Sequence, residues 1–494
     1  MSGAGPVPAA LDPRTPVLVG VGVASADAEA TETMALALEA AGADAGPAGI
    51  LGRVDRIAVP QGSWDYPDPG RLVARRVGAS GARTHLVELG IPQQGVINDA
   101  LTAIAEGASE VAVVVGGEAK RWARDLERAG RSATETDQAG AVPDVTRRRE
   151  GPLMEPVEVT HHLWDPVQQY AMIENALRVA EGRSLAQHRS EVAALWARFN
   201  EVARSNPDAA FPAPMDADQI ATASPSNRPL AFPYNTWHST QWTVNQAAAL
   251  LLCSAGAARG LGVAADRWVF PLVGLESSHA VSLLRRAAPH SWPAMEVLGR
   301  AATGRIGRPL AEIDRVELYS CFPAAVRVQQ RMLGLARAGT PTATGGMTFA
   351  GGPFNNFVLQ SMVPVIRALR AEPGSLGMVT TVSGLLTKPG IGVWSGVPDG
   401  RPPLVEDLAG EAEAATGVLD VVETLDGYDG EATVSTYTVT YDGMAPVRTV
   451  AVCDIPDGRR CVAVAEDPEL AAHVVSVELI GSRVRLEGGS LTLV

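Results

Sequence analysis

Two runs of consecutive apolar residues set the first limit on this chain. Val17-Leu18-Val19-Gly20-Val21-Gly22-Val23 and Val111 to Val115 lack polar alternation, so each reads as a strand buried on both faces. A helix-rich stretch from about Thr31 to Ala41 follows the first. Val96, Ile97, Ala100, Leu101 and Ile104 recur at 3.6-residue spacing before the second. Strands covered on both faces and alternating with helices require a layered α/β fold. At 494 residues the chain exceeds one ordinary core, so two or three domains are expected. Its composition, 46% apolar and 19% charged, supplies a buried interior and excludes disorder.

A formal charge of −14 argues against a nucleic-acid partner, which would need a clustered basic surface. Lys120 and Lys388 are the only lysines, so nearly all positive charge is arginine. Cys253, Cys321, Cys453 and Cys461 are widely spread and form no CxxC pair, and His161-His162 has no companion ligand cluster, so neither disulfides nor a metal site is expected. Met1 to Pro16 has no basic segment followed by an apolar stretch, and no apolar run reaches membrane-spanning length. A cytoplasmic protein is expected. Gly20-Val21-Gly22 could open a dinucleotide loop, but Ser25 stands at the third glycine position, and a tight turn after the strand explains the pair.

Val54-Asp55-Arg56-Ile57 and Ile313-Asp314-Arg315-Val316 echo one another, each opening an apolar strand after an Ala/Gly-rich helical stretch. After about Pro403 the pattern changes. Tyr437, Val439 and Tyr441 alternate with Thr438 and Thr440, Asp442-Gly443 and Asp457-Gly458 supply turns, and apolar runs at Val450 to Cys453 and Cys461 to Val464 follow. A short helix at Pro468 to Val474 precedes Val484 to Leu486, Gly488-Gly489 and Leu491 to Val494. Several short strands and one helix in this span suggest a small β-barrel of OB-like order.

Three segments carry a family resemblance. Ala103 to Glu118, with Gly116-Gly117-Glu118, resembles the helix, strand and Gly-Gly turn that follow the nucleophile in thiolases. Val316 to Phe322 is similar to the His-Asp-Cys-Phe segment of sterol-carrier-type thiolases, and Gly345 to Pro353 to their Gly-Gly…Gly-His-Pro loop. The chain most resembles the type 1 thiolase-like proteins, often labelled acetyl-CoA acetyltransferases. The resemblance implies a duplicated thiolase fold, layered α-β-α-β-α, with residues 1–265 as the first half, a loop domain inserted at about 122–234, and residues 266–403 as the second half. Residues 404–494 would form the added OB-like domain that thiolases proper lack.

The chemistry of that family needs a thiolate, a base to generate it, a second acid/base and oxyanion donors. Aligned on the resemblance, the nucleophilic cysteine falls on Gly90, the histidine of Gly-His-Pro on Gly352, the His-Asp pair on Tyr319 and Ser320, and the second cysteine near Ser383-Gly384. Every functional position departs from the pattern. Substitute catalytic candidates are Cys321, Tyr319, His238 and His279, each with a competing reading as a structural group; Cys253, after an apolar run, reads as core. Gln94, Asn98, Asn355, Asn356 and Lys388 are candidate ligand contacts, or else satisfied or solvated polar groups. Arg147, Arg148 and Arg149 are candidates for the phosphates of coenzyme A, or else a solvated charged face.

The leading expectation is a thiolase-like protein that binds an acyl-CoA or lipid-like ligand, or a protein partner, without thiolase turnover and without a cofactor. One rival is an active acyl-CoA acyltransferase or C–C lyase working through unconventional residues. Another is an interaction subunit docking through the C-terminal domain. The sequence leaves the oligomeric state open.

Overall fold

The computed structural model describes residues 11–161, 163–417 and 421–494, so His162, weighed above, lies outside the described residues. The strands are β1 (Pro16–Ala24), β2 (Arg56–Pro60), β3 (Arg83–Val87), β4 (Val111–Ala119), β5 (Val145–Arg147), β6 (Pro229–Ala231), β7 (Tyr234–Asn235), β8 (Asn245–Ser254), β9 (Phe270–Glu276), β10 (Arg315–Glu317), β11 (Leu376–Ser383), β12 (Lys388–Ser395) and β13 (Leu404–Asp407). The C-terminal strands are β14 (Gly430–Asp442), β15 (Ala445–Asp454), β16 (Arg460–Ala465), β17 (Arg483–Glu487) and β18 (Ser490–Leu493). One sheet runs β1-β8-β4-β2-β3-β5 and a second runs β10-β11-β12-β9-β13. The helices Gln93–Ala105 and Phe357–Ala371 lie between the two sheets and touch both, while Ala30–Ala45 covers the outside of the first and Pro293–Ile306 that of the second. This is the α-β-α-β-α layering expected.

The sequence echo has a shared physical role. Asp55 accepts the N–H of Val111, which begins β4 beside β2, and Asp314 accepts the N–H of Leu376, which begins β11 beside β10. Each carboxylate satisfies an otherwise orphaned donor at the start of a parallel neighbour.

Gly20 and Gly22 lie within β1 and form no turn. A Cβ at either would sit 2.2 Å from a backbone oxygen of the covering helix, Ala41 or Ala37 respectively, so the pair exists to let that helix approach the strand. The turn explanation is therefore corrected, and the dinucleotide loop is equally unsupported.

Between β4 and β8 the chain leaves the layers as several helices, including Pro156–Thr160, Pro166–Ala180 and Leu185–Ser205. A buried network holds these to the core: Tyr234 donates to Glu174 at 2.5 Å and accepts the Ala324 N–H at 3.1 Å, and His188 Nε2 lies 2.6 Å from Glu174.

Leu404–Asp407, placed by sequence after the domain boundary, instead pairs with β9 and completes the edge of the second sheet. The C-terminal sheet follows, in the order β16-β15-β14-β17-β18 with the helix Pro468–Val474 between β16 and β17. It curls until the Val464 N–H donates to Gly489 C=O at 2.9 Å, though among the described residues no ladder closes it into a barrel. The threonine face of β14, which alternation would leave in water, is buried: Thr436 donates to Met172 C=O at 2.6 Å and Thr438 to Phe232 C=O at 2.9 Å. The C-terminal unit is thus seated on the helix Pro166–Ala180. On another side, Arg460 reaches out of β16 to the carbonyls of Leu284, Arg286 and Ala287.

Candidate functional site

Gly90 sits where β3 turns into the helix Gln93–Ala105, with φ +101°, a conformation that L side chains rarely adopt. A Cβ here would lie 2.6 Å from Leu153 Cδ2. The space above the turn is taken by Lys388, whose ammonium donates to Gly90 C=O at 3.2 Å and Glu150 C=O at 3.4 Å. Lys388 is 7% exposed, and burial lowers its pKa. The solvated alternative for this residue is thereby removed. Lys388 begins β12, directly across from Ser383 on β11. The tip between them is fixed by Arg286, which donates to Leu385 C=O at 2.9 Å and Leu386 C=O at 2.7 Å, and by Trp292, which donates to Thr387 C=O at 3.0 Å. Leu386 holds a positive φ of 57°, a strained turn that these bonds stabilise.

Beside this pair lies a cavity of about 340 Å³, within the size range of small-ligand sites. Gly90, Lys388 and His279 line it, joined by Glu158, Gln169 and Ser282 from elements that the sequence did not single out. Glu158 is 1% exposed; one carboxylate oxygen accepts the Glu155 N–H at 2.9 Å in a capping box and the other, Oε1, has no partner. Gln169 is fully buried; its amide nitrogen donates to Leu163 C=O at 2.8 Å, which leaves Oε1 unpartnered. His279 Nε2 and Ser282 Oγ are also buried without a partner. Burial raises the pKa of Glu158 and lowers that of His279. The only sequence cue to Glu158 was the Glu155-Pro156-x-Glu158 start of a short helix. Gln169 and Ser282 carried none.

Of the other family positions, Gly384 also lines this cavity, whereas Tyr319, Ser320 and Gly352 lie in packed interior. Tyr319 donates its N–H to Thr380 Oγ1 at 2.9 Å and packs its ring edge-on to Phe357; burial pushes its phenol far above the ordinary range. Ser320 Oγ accepts the Met347 N–H at 3.1 Å. Burial pushes the Cys321 thiol up to about 12, so at neutral pH it is not a thiolate. Its carbonyl accepts both the N–H and hydroxyl of Thr240 at 3.1 and 3.0 Å. Thr240 also fills the space at Gly352, where a Cβ would stand 2.2 Å from Thr240 Cγ2 and 3.3 Å from Met347. A histidine has no room there. His238 is buried and pushed down to about 4, its Nδ1 accepting the Asn235 N–H at 3.0 Å; it holds a turn.

Most of the polar candidates join layers. Gln94 donates to Asn98 at 2.9 Å, and Asn98 donates to Glu276 at 3.4 Å. The two amides fit niches left by Gly274, Gly390 and Gly392 on the second sheet, where any Cβ would collide with them. Asn355 bridges Gln93 and Gln61 C=O, at 2.9 and 3.0 Å. Asn356 is buried beside Gly116 with neither side-chain atom partnered. Arg147 is committed to Asp99 at 3.1 Å and Glu276 at 3.2 Å. Arg148 is exposed and pairs with Glu88 at 3.0 Å, and Arg149, also exposed, lies along Gly90. Among the described residues no group of three or more His, Cys, Asp or Glu could hold a metal ion, and no helix is long and apolar enough to cross a membrane.

Two layered halves with a turn-borne site between strand and helix define a protein of the thiolase fold. Solved structures agree: an aldolase complex titled Ltp2-ChsH2(DUF35) is 18% identical over 78% of this chain and 98% of its own, with a TM-score of 0.58. The acetyl-CoA acetyltransferase of Syntrophomonas wolfei is 16% identical over 77% and 98%, with a TM-score of 0.57. A monomeric SCP2-thiolase-like protein type 1 from Mycobacterium smegmatis is 28% identical over 98% of this chain and all of its own, with a TM-score of 0.82. The family model for the additional C-terminal domain of thiolase-like protein type 1 matches residues 414–488. The chain is thus similar over nearly its whole length to a type 1 thiolase-like protein, and its C-terminal part matches the additional domain described for that group. No functionally curated protein matches the sequence.

Proposed function

We propose that this protein binds an acyl-CoA or related acyl ligand at the former nucleophile site and does not perform thiolase turnover. The observation that carries this reading is Gly90, at the position the resemblance gives to the nucleophile, with its carbonyl bonded to Lys388 at the edge of a polar-lined cavity. Thiolysis needs a thiolate, and among the described residues no thiol lines this cavity, so His279 on its wall has none to deprotonate. Arg148 and Arg149, exposed beside the Gly90 turn, are the remaining candidates for a ligand's phosphates, since Arg147 is held by two carboxylates.

The rival reading of an active acyltransferase or lyase depends on Cys321, Tyr319 or His238. The high thiol and phenol pKa values and the low imidazole pKa weaken it. A docking role for the C-terminal domain has less support, because Arg460 and the threonine face of β14 are occupied by the protein's own core. Calorimetric titration with CoA and with short and medium acyl-CoAs tests the proposal. Saturable binding that R148A/R149A weakens is expected; absence of binding across the panel would contradict it.

A further inference from the structure

The chemistry of the cavity wall specifies its occupant more closely. Two of the unpartnered atoms, Glu158 Oε1 and Gln169 Oε1, belong to side chains that are 1% and 0% exposed. Their orientations are fixed from behind: the Glu155 N–H holds the far oxygen of Glu158, and Leu163 C=O takes the amide nitrogen of Gln169. The Gln169 amide thus presents an acceptor; burial raises the pKa of Glu158, while the Glu155 and Leu284 N–H groups and the charge of Arg286 work against that rise and favour its ionised acceptor form. Two buried acceptors without donors are costly until something donates to them.

The donor's charge is constrained as well. A cationic amine would meet the Lys388 ammonium on the same wall, and an anion would meet Glu158. An uncharged donor satisfies both. His279 Nε2 and Ser282 Oγ, unpartnered on the same wall, can each donate or accept, so the group best matched is compact and does both. A hydroxyl has this property, whereas a ketone or thioester carbonyl can only accept.

We propose that the cavity selects an acyl ligand carrying a hydroxyl group, with Glu158 and Gln169 accepting its hydrogen bond, over the ketone analogue of the same chain. This rests on the acyl-ligand reading above and narrows it to a substrate class. Sites built to hydrogen-bond a hydroxyl discriminate strongly against analogues lacking it, because their buried polar atoms are then left unpaired.

The test is titration of the full chain with a 3-hydroxyacyl-CoA and the 3-oxoacyl-CoA of equal length, on wild type and on Glu158→Gln. The Gln variant keeps an oxygen for the Glu155 N–H and turns an amide nitrogen toward the cavity, and its unfolding midpoint reports whether it folds. The expected result is that wild type binds the hydroxyacyl ligand at least tenfold more tightly and that E158Q cuts the preference to threefold or less. Equal binding of the two ligands by wild type overturns this inference and leaves the acyl-ligand reading intact. So does a preference that persists in E158Q. If neither ligand binds, both fail. The wild-type comparison needs no variant, so a misfolded E158Q does not blunt it.

Discussion

Glu158 and Glu317 are both buried carboxylates, and the contrast between their surroundings separates the two halves of the old active site. Glu317 accepts from Thr342 and Thr344 hydroxyls at 3.0 Å and from the Ala343 and Thr344 N–H groups at 2.6 and 2.8 Å, so every donor around it is used to pin a loop. Glu158 has one oxygen held and one free beside a cavity. The region around Tyr319, Cys321 and Gly352 is packed like Glu317, with Thr240 filling the space at Gly352, although Asn356 nearby keeps both amide atoms unpartnered. The region around Gly90 and Lys388 follows the Glu158 pattern. One side is packed and the other borders a polar-lined cavity. What sets Glu158 apart is an unpartnered buried oxygen on the wall of a cavity, and burial alone does not mark a site.

The sharpest way to break this contrast is to force the filled half open. Gly352→His must displace Thr240 and Met347 from a packed interior, and a loss of about 3 kcal/mol or more is expected in chemical denaturation. A G352H variant as stable as wild type would show that the filled half is not filled.

Arg460 ties the C-terminal unit to the segment that leads into the cavity wall. It is 2% exposed and donates to three carbonyls, including Arg286 C=O at 2.5 Å, as well as to Ser435 and Asp454. Arg460→Ala leaves those carbonyls unpaired, and an unfolding free energy lower by about 3 kcal/mol is expected. A loss below 1 kcal/mol would detach the added domain from the account of the cavity.

A smaller effect should distinguish Glu276, at the layer junction, by pH. Burial pushes its carboxyl up from 4.5 to about 7, against the pull of Arg147. The native state therefore keeps this proton longer than the unfolded chain does. The stability it contributes is full below about pH 4.5 and is lost as pH rises to about 7. Glu276→Gln removes this slope, so the wild-type minus E276Q stability difference should fall by about 3 kcal/mol across that window. A flat difference would mean that the junction carboxylate is ionised throughout.

How much of this was legible depends on whether residue spacing alone carried the information. Apolar runs and helical spacing announced the layers, and the Asp55 and Asp314 echo announced the duplication, because each reflects a local rule about strands. Gly90 and Gly352 could be singled out because the family resemblance placed them, and Lys388 because it is the one lysine of its predicted loop. Gln94 and Asn98 were misleading: near a nucleophile turn they resemble ligand contacts, but glycines on distant β9 and β12 decide what they touch. Glu158 and Gln169 were invisible because the inserted segment has no motif and its placement is set by long-range packing; Ser282, in the loop after β9, carries no motif either. The buried threonine face of β14 was hidden for the same reason, since its partner Met172 is far away in sequence.

The central claim is that this thiolase fold no longer performs thiolase chemistry. Its most direct test is mass-spectrometric product analysis after incubating the purified protein with CoA and a panel of short and long 3-oxoacyl-CoAs, beside a heat-killed control. An unchanged panel is the result expected. Chain-shortened acyl-CoA products above the control would contradict the account and direct attention back to Cys321 and the histidines.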